Sequence, residues 1–160
     1  MKTDGTALYL ENQLCFPLYA ASRLTTKLYT PILKEFDLTY PQYLVLLVLW
    51  QHGNQTVNEI CNRLLLESNT VTPLLKRLEE KELVSRKRSA KDERVVEISL
   101  TEKGQSFKQE AVTIPEKIIS SFSDTTIEAG EILNLQKTLF KLIALMNDKQ
   151  LPTTTCPTED

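Results

Sequence analysis

The sequence predicts a mainly α-helical fold with one small β-hairpin, and three observations carry that reading. Apolar residues recur at helical spacing through much of the 160-residue chain. Two short helical patterns stand almost back to back between Thr56 and Leu78. A stretch of period-two alternation, split by a polar tip, follows them directly. Two short helices with a brief connector and then a hairpin are the signature of a winged helix-turn-helix. The chain reads as one such domain over residues 1–150, with a disordered Thr- and Pro-rich tail over 151–160.

The elements follow in order. Residues 8–30 carry Leu14, Leu18, Ala21 and Leu28 at helical intervals. Pro17 either kinks this helix or marks its true start. Thr39-Tyr40-Pro41-Gln42 reads as an N-cap with Gln three residues on and Pro in the first turn. The run Tyr43–Trp50 is apolar on all sides, which predicts a central, buried helix. Thr56-Val57-Asn58-Glu59 is a capping box, and Val57, Ile60, Cys61 and Leu64 form one stripe behind it. A second short helix starts at about Ser68, with Val71, Leu74, Leu75 and Leu78 at the same spacing and Pro73 about one turn in. Strands are expected over 84–88 and 94–100, around a polar tip at 89–93. Thr101 to Gly104 opens a long helix interrupted at Pro115. A last helix runs over about 126–147, with Ile132, Leu135, Leu139, Leu142 and Met146 on one side. The first and last helical regions, about 8–30 and 104–147, are expected to dimerise, and about 53–100 to bind DNA.

Composition bounds the function. With 41% hydrophobic residues the chain can bury a core. The start of the chain lacks the apolar run of a signal peptide, and Tyr43–Trp50 is too short to span a bilayer. A soluble, cytoplasmic protein is the expectation, with no membrane partner. The net charge of −2 argues against a nucleic-acid binder, but its distribution does not. Between Lys76 and Arg94 stand eight Lys and Arg against five Asp and Glu, a local +3 that leaves −5 elsewhere. A basic stripe on an acidic body can serve as a footprint for phosphates.

The basic residues fall on the two elements that a winged helix presents to DNA. On the second short helix, Ser68, Asn69, Thr70 and Thr72 are short polar groups suited to base edges and phosphates, and Lys76 and Arg77 suit backbone charge. The wing supplies Arg86, Lys87, Arg88, Lys91, Asp92 and Arg94, and an Arg at a hairpin tip can enter a narrow minor groove. Solvation alone would explain the charges, but not their placement on these two elements.

Asp92-Glu93-Arg94, then Ile98-Ser99-Leu100-Thr101 and Gly104, resembles the wing signature of MarR-type regulators. Leu74-Leu75-Lys76-Arg77-Leu78-Glu79 and Leu83-Val84-Ser85-Arg86 precede it in the matching places. The resemblance implies that Arg94 is the minor-groove arginine, held by Asp92, and that residues 68–77 form the recognition helix. One departure is Glu82, where the family usually has Gly.

Three cysteines at wide spacing fit neither a disulfide framework nor a zinc site. Cys61 lies on an apolar stripe and reads as a core residue. Cys156, in the tail, reads as a chance thiol or a resolving partner. Cys15 has Tyr19 one helical turn on, on the same face. Tyr29 points in nearly the same direction but lies roughly 21 Å along the axis, so it can meet only the Cys15 of another, antiparallel chain. Spacing alone leaves Cys15 as either a core residue or a reactive thiol.

Leu10-Glu11-Asn12-Gln13-Leu14-Cys15-Phe16-Pro17-Leu18-Tyr19-Ala20-Ala21-Ser22-Arg23 resembles the first helix of the organic hydroperoxide resistance regulators, a MarR subgroup. Leu38-Thr39-Tyr40-Pro41-Gln42-Tyr43-Leu44 resembles their second segment. The likeness spans about 8–147. It implies that Cys15 is the peroxidatic cysteine, with Tyr29 and Tyr40 of the partner subunit as hydroxyl donors and Tyr19 nearby. Residues 101–147 contain no cysteine, which resembles the one-cysteine type. In that type the oxidised sulfur is capped by a low-molecular-weight thiol or a backbone nitrogen.

The function implied is a redox-sensing repressor and homodimer that binds a pseudo-palindromic operator in double-stranded DNA. It releases the operator when an organic hydroperoxide oxidises Cys15. No enzyme activity, metal or cofactor is expected, His52 being the single histidine. Three alternatives stand beside this. One is a MarR-type repressor released by a small aromatic ligand, with Cys15 merely lining a pocket. The second is a thiol peroxidase, which would need an efficient resolving thiol. The third is a protein-binding winged helix, which the basic recognition face disfavours.

Overall fold

A computed structural model describes residues 5–89, 92–121 and 128–148. It orders seven α-helices and three strands: α1 Cys15–Lys34, α2 Tyr40–His52, β1 Gln55–Thr56, α3 Val57–Leu64, α4 Ser68–Glu80, β2 Val84–Arg88, β3 Val96–Leu100, α5 Glu102–Ala111, α6 Thr113–Ser120 and α7 Ala129–Asp148. The chain divides into two units, Met1–Ser120 and Ser121–Asp160. The expected tail, Cys156 and Lys91 lie outside the described residues.

The first helix departs from its expected bounds. Ahead of it stand two 3₁₀ turns, Gly5–Leu8 and Leu10–Asn12, and the α-helix begins only at Cys15. Pro17 therefore falls in the first turn, where a missing N–H costs no helical hydrogen bond. At the far end α1 runs through Pro31 to Lys34. From residue 5 to residue 32 no side chain is buried, and Leu33 is the first to be fully enclosed.

The core is built on α2. Gln42 Oε1 accepts the Thr39 N–H at 2.9 Å and starts the helix as its capping sequence requires. Tyr43, Val45, Leu46, Val48 and Leu49 are buried, as the all-round apolarity of the run predicts, and Leu47 alone in the run is exposed. Helices α3 and α4 pack on α2 and on each other. Ile60, Val71, Leu75, Leu78 and Ile98 are completely enclosed, each contributing on the order of 2 kcal/mol by area burial. Cys61 is buried among them, and burial pushes its thiol up from the ordinary value.

The sheet has one strand more than the expected hairpin. Gln55 and Thr56, leading into α3, pair antiparallel with Ile98 and Glu97, and the order is β1-β3-β2. The hairpin itself runs from Val84 opposite Leu100 to Arg88 opposite Val96. Two residues of β1 are too few to show alternation, so no period-two signal marked them.

The join between α4, the sheet and α5 explains the Thr-x-x-Gly sequence. Thr101 Oγ donates to the Glu82 carbonyl at 2.5 Å and accepts the Gly104 N–H at 3.0 Å, capping α5. A Cβ at Gly104 would collide with the Leu83 carbonyl. The Gly104 carbonyl in turn accepts the Trp50 indole N–H at 3.0 Å. Just before Leu83, Glu82 takes φ +59°, the left-handed region for which glycine is the natural residue. Here a Glu holds that bend at some strain. The later helix breaks at Val112, not at Pro115, which lies in the first turn of α6.

In the second unit, α7 is twenty residues long and amphipathic by sequence. Ile132, Leu133, Leu135, Phe140, Ile143, Leu145 and Met146 are all well exposed.

Candidate nucleic-acid interface and cysteine site

Helix α4 is fastened by one face. Val71, Leu75 and Leu78 are fully enclosed, which turns Ser68, Asn69, Thr70, Pro73, Lys76 and Arg77 outward, with Thr72 half-buried at the edge. The connector from α3 is held by Leu65 in the left-handed region, φ +53° and ψ +43°. Ahead of the helix, Thr56 Oγ accepts the Glu59 N–H at 3.2 Å and Glu59 returns to the Thr56 N–H at 2.7 Å, so the predicted capping box is formed. The Thr56 N–H, and then its hydroxyl, donate to the Glu59 carboxylate and hold it below the usual range. The α4 N-terminus has no side-chain cap. Asn69 Nδ2 donates to Glu67 at 3.2 Å and Thr70 Oγ to Asn69 Oδ1 at 3.2 Å, so the polar side chains there support one another.

On the wing, Lys87, Arg88, Asp92 and Arg94 are exposed. The Asp92 carboxylate accepts the Arg94 backbone N–H at 2.9 Å, and Val95 N–H reaches the Asp92 carbonyl at 3.0 Å. Asp92 thus shapes the turn that presents Arg94, acting through the main chain and leaving the guanidinium exposed. Arg86 behaves differently from its neighbours. It stands opposite fully buried Ile98, on the inner side of the hairpin. Its Nη1 lies 3.4 Å from Glu79 Oε2 of α4, and its backbone N–H points to Glu79 Oε1 at 3.3 Å.

Cys15 is the first residue of α1 and is exposed. Tyr19, one turn on, is exposed too, and its phenol oxygen accepts Arg23 Nη1 at 2.9 Å. The Arg23 guanidinium carbon lies 5.5 Å from the Tyr19 ring centroid, a cation–π arrangement. This leaves the Tyr19 hydroxyl proton free to donate. In the sequence Arg23 closes the motif around Cys15 with no role assigned to it, although its i+4 spacing from Tyr19 is the signal for this pairing.

The other two tyrosines come together at the opposite end of the helix. Tyr29 and Tyr40 have ring centroids 4.7 Å apart, and Tyr43 stands 6.1 Å from Tyr29. Burial raises Tyr29, with a smaller contribution from Tyr40, and burial also raises Tyr40. Tyr43 is pushed up to about 12, by burial first and then by Tyr29 and Tyr40. All three keep their phenolic protons at neutral pH and so remain donors. Since α1 is continuous from Cys15, Tyr29 lies roughly 21 Å along the axis from the thiol of its own chain.

Among the described residues no group of three His, Cys, Asp or Glu side chains could hold a metal ion. His52 instead faces Arg63, 3.1 Å from its Nη1. No helix among the described residues is long and apolar enough to cross a membrane.

Comparison with known proteins follows the same lines. A family model described as transcriptional regulator SarA/Rot matches residues 27–111. Reduced AbfR bound to DNA superposes with a TM-score of 0.74 at 40% identity, over 91% of this chain and 99% of that one. AbfR, from Staphylococcus epidermidis, has also been solved overoxidised on DNA and with a disulfide formed. Fold and surface together define a winged-helix transcription regulator. The chain is 48% identical over 150 residues to the organic hydroperoxide resistance transcriptional regulator of Bacillus subtilis strain 168, covering 93% of this chain and 99% of the relative. It is 43% identical over 126 residues to the regulator SarZ of Staphylococcus aureus, covering 79% and 85%. The chain belongs to the SarA/Rot regulator family and, within the MarR-type winged helices, to the organic hydroperoxide resistance regulators.

Proposed function

We propose that this protein is a redox-sensing repressor that binds operator DNA as a homodimer and lets go when Cys15 is oxidised. The observation that carries the reading is the separation of the two halves of the sensor. Cys15 is exposed at one end of α1, and the neutral Tyr29–Tyr40 pair stands roughly 21 Å away at the other. A second α1 running antiparallel brings Tyr29 and Tyr40 of the partner subunit to each thiol, with the chain's own Tyr19 beside it. Phenolic donors favour the thiolate, the form that peroxides attack.

In this reading the helices over 8–30 and 104–147 hold the dimer, and residues 53–100 bind DNA. Exposed apolar residues support this: Leu14 just before α1, Phe16, Leu24 and Leu28 on it, and the apolar set on α7 need a covering partner. At the DNA, Ser68, Asn69, Thr70 and Thr72 read or flank the major groove, Lys76, Arg77, Lys87 and Arg88 neutralise phosphates, and Asp92 holds Arg94 for the minor groove. Two copies place these elements on two half-sites of a pseudo-palindrome.

Oxidation takes two steps. The Cys15 thiolate attacks the outer oxygen of an organic hydroperoxide, the O–O bond breaks to leave a sulfenic acid, and the departing alkoxide takes a proton from water to leave as the alcohol. A low-molecular-weight thiol then forms a mixed disulfide with Cys15 and expels water. The AbfR structures include an overoxidised protein on DNA, so added oxygens alone are compatible with DNA contact in that relative. For this chain the releasing state is therefore assigned to the bulkier cap. Residues 101–147 offer no resolving cysteine, and Cys61 is buried.

A gel shift on the DNA upstream of the chain's own gene tests this, with and without cumene hydroperoxide and a small thiol. Wild type is expected to release, whereas Cys15→Ser binds with unchanged affinity and ignores the oxidant. Release by Cys15→Ser would overturn the redox reading. The small-ligand reading would then lead, and a groove of about 480 Å³ lined by Tyr43, Leu47, Trp50, Lys108 and Val112 is large enough for it.

A further inference from the structure

We propose that Arg86 is a positioning residue, which with Glu79 sets the angle between the wing and the recognition helix so that Arg94 reaches its groove. The inference rests on the DNA-binding reading above and adds to it the part that fixes the geometry. Lys87 and Arg88 point to solvent, while the Arg86 side chain is only 22% exposed. It stands across the hairpin from Ile98, which has no exposure at all. Glu79 meets it twice, at the guanidinium (3.4 Å) and at the backbone N–H (3.3 Å). The carboxylate therefore ties both the side chain and the main chain of β2 to the last turns of α4.

The Arg86 Nε is buried with no hydrogen-bond partner. A core optimised for stability alone would not enclose an unsatisfied cationic donor here. The position retains it because an ion pair fixes direction as well as distance. The hairpin is also tied at its base, where Thr101 holds the Glu82 carbonyl, and at β1. Arg94 lies two residues before the start of β3, at the far end of the hairpin. A small rotation about the base therefore moves Arg94 a large distance relative to α4. The major groove and the neighbouring minor groove are a fixed distance apart, so that rotation decides whether both are met at once.

The experiment measures operator affinity against salt for wild type, Arg86→Gln, Glu79→Gln, Arg94→Ala and the two doubles with Arg94→Ala, each checked for an unchanged melting temperature. Steep salt dependence in wild type confirms the underlying DNA reading, and its absence would sink that reading. Arg86→Gln is expected to weaken binding about tenfold while keeping the wild-type log–log slope, since no phosphate contact is lost. Arg94→Ala should cost about tenfold in wild type but less than threefold in either the Arg86→Gln or the Glu79→Gln background. A purely structural role would leave the Arg94 effect undiminished. The proposal is overturned if the slope falls by about one in Arg86→Gln, which would make Arg86 a phosphate contact. It is equally overturned if Arg94→Ala costs the same in all backgrounds. Should either single variant unfold, the other still reads the coupling.

Discussion

Tyr29, Tyr40 and Tyr43 stand together at one end of α1, and their shared burial keeps them neutral. As donors to a thiolate they give a kinetic prediction. Tyr29→Phe and Tyr40→Phe are expected to bind operator like wild type when reduced, but Cys15 should react with hydroperoxide on the order of tenfold more slowly, the scale of a lost charge-assisted hydrogen bond. Stopped-flow loss of the free thiol reads this, and unchanged rates in both variants would reduce the tyrosines to packing. Tyr43 gives a second prediction, with a definite sign. Its folded-state value is raised from 10.0 to about 12, so its contribution is whole below pH 10 and is lost as pH rises towards 12. Chemical denaturation across that range should show wild type losing stability more steeply than Tyr43→Phe. Equal slopes would mean that the burial of its hydroxyl is relieved by water.

At the scale of elements, the junction after α4 brings a strained residue, Glu82, and a sterically confined glycine at the start of α5 to the same Leu83 peptide. Glu82 carries a positive φ in a bend that Gly adopts freely. Gly104 lets the α5 N-terminus approach the Leu83 carbonyl where no Cβ fits. The two positions should respond in opposite directions. Glu82→Gly is expected to gain about 1 kcal/mol by relieving the left-handed strain, although Glu82 also loses a weak surface pairing with Lys103 at 3.6 Å. Gly104→Ala should lose roughly 1–3 kcal/mol by overpacking, and operator affinity with it, because the wing base moves. Urea midpoints measure both, and a stabilised Gly104→Ala would show that the backbone there yields cheaply.

For the whole molecule, the exposed apolar residues of α1 and α7 predict association. Leu24 is 60% exposed and lies one turn from Leu28, on a face of α1 that nothing in its own unit covers. Leu24→Glu places a charge on that face. Sedimentation should find wild type at the mass of two chains and Leu24→Glu shifted towards one, with operator affinity reduced at least tenfold because one half-site cannot hold alone. It should also lose the rapid reaction of Cys15, since the partner's tyrosines leave with the partner. A wild-type protein that sediments as a single chain would remove the shared sensor.

What the sequence determined by itself was whatever is encoded in short-range pattern. Capping at Thr56 and Thr101, the stripe Val71–Leu78, the alternation of β3 and the core position of Cys61 all depend on neighbours a few residues away, and the structure bears them out. The motif around Cys15 and the wing motif were equally local, so the class of regulator was legible. The tertiary structure decided what distant residues do to one another. The pairing of β1 with β3 joins segments forty residues apart through two residues, too few to form a pattern. Gly104 is required because a carbonyl twenty-one positions earlier in the chain lies against it. Arg86 reads from sequence like its neighbours Lys87 and Arg88, one more cation on a basic hairpin. Only its register opposite Ile98, and a carboxylate on the preceding helix, turn it inward. Charge and spacing are properties of the chain, but the face on which a charge is spent is set by what packs behind it.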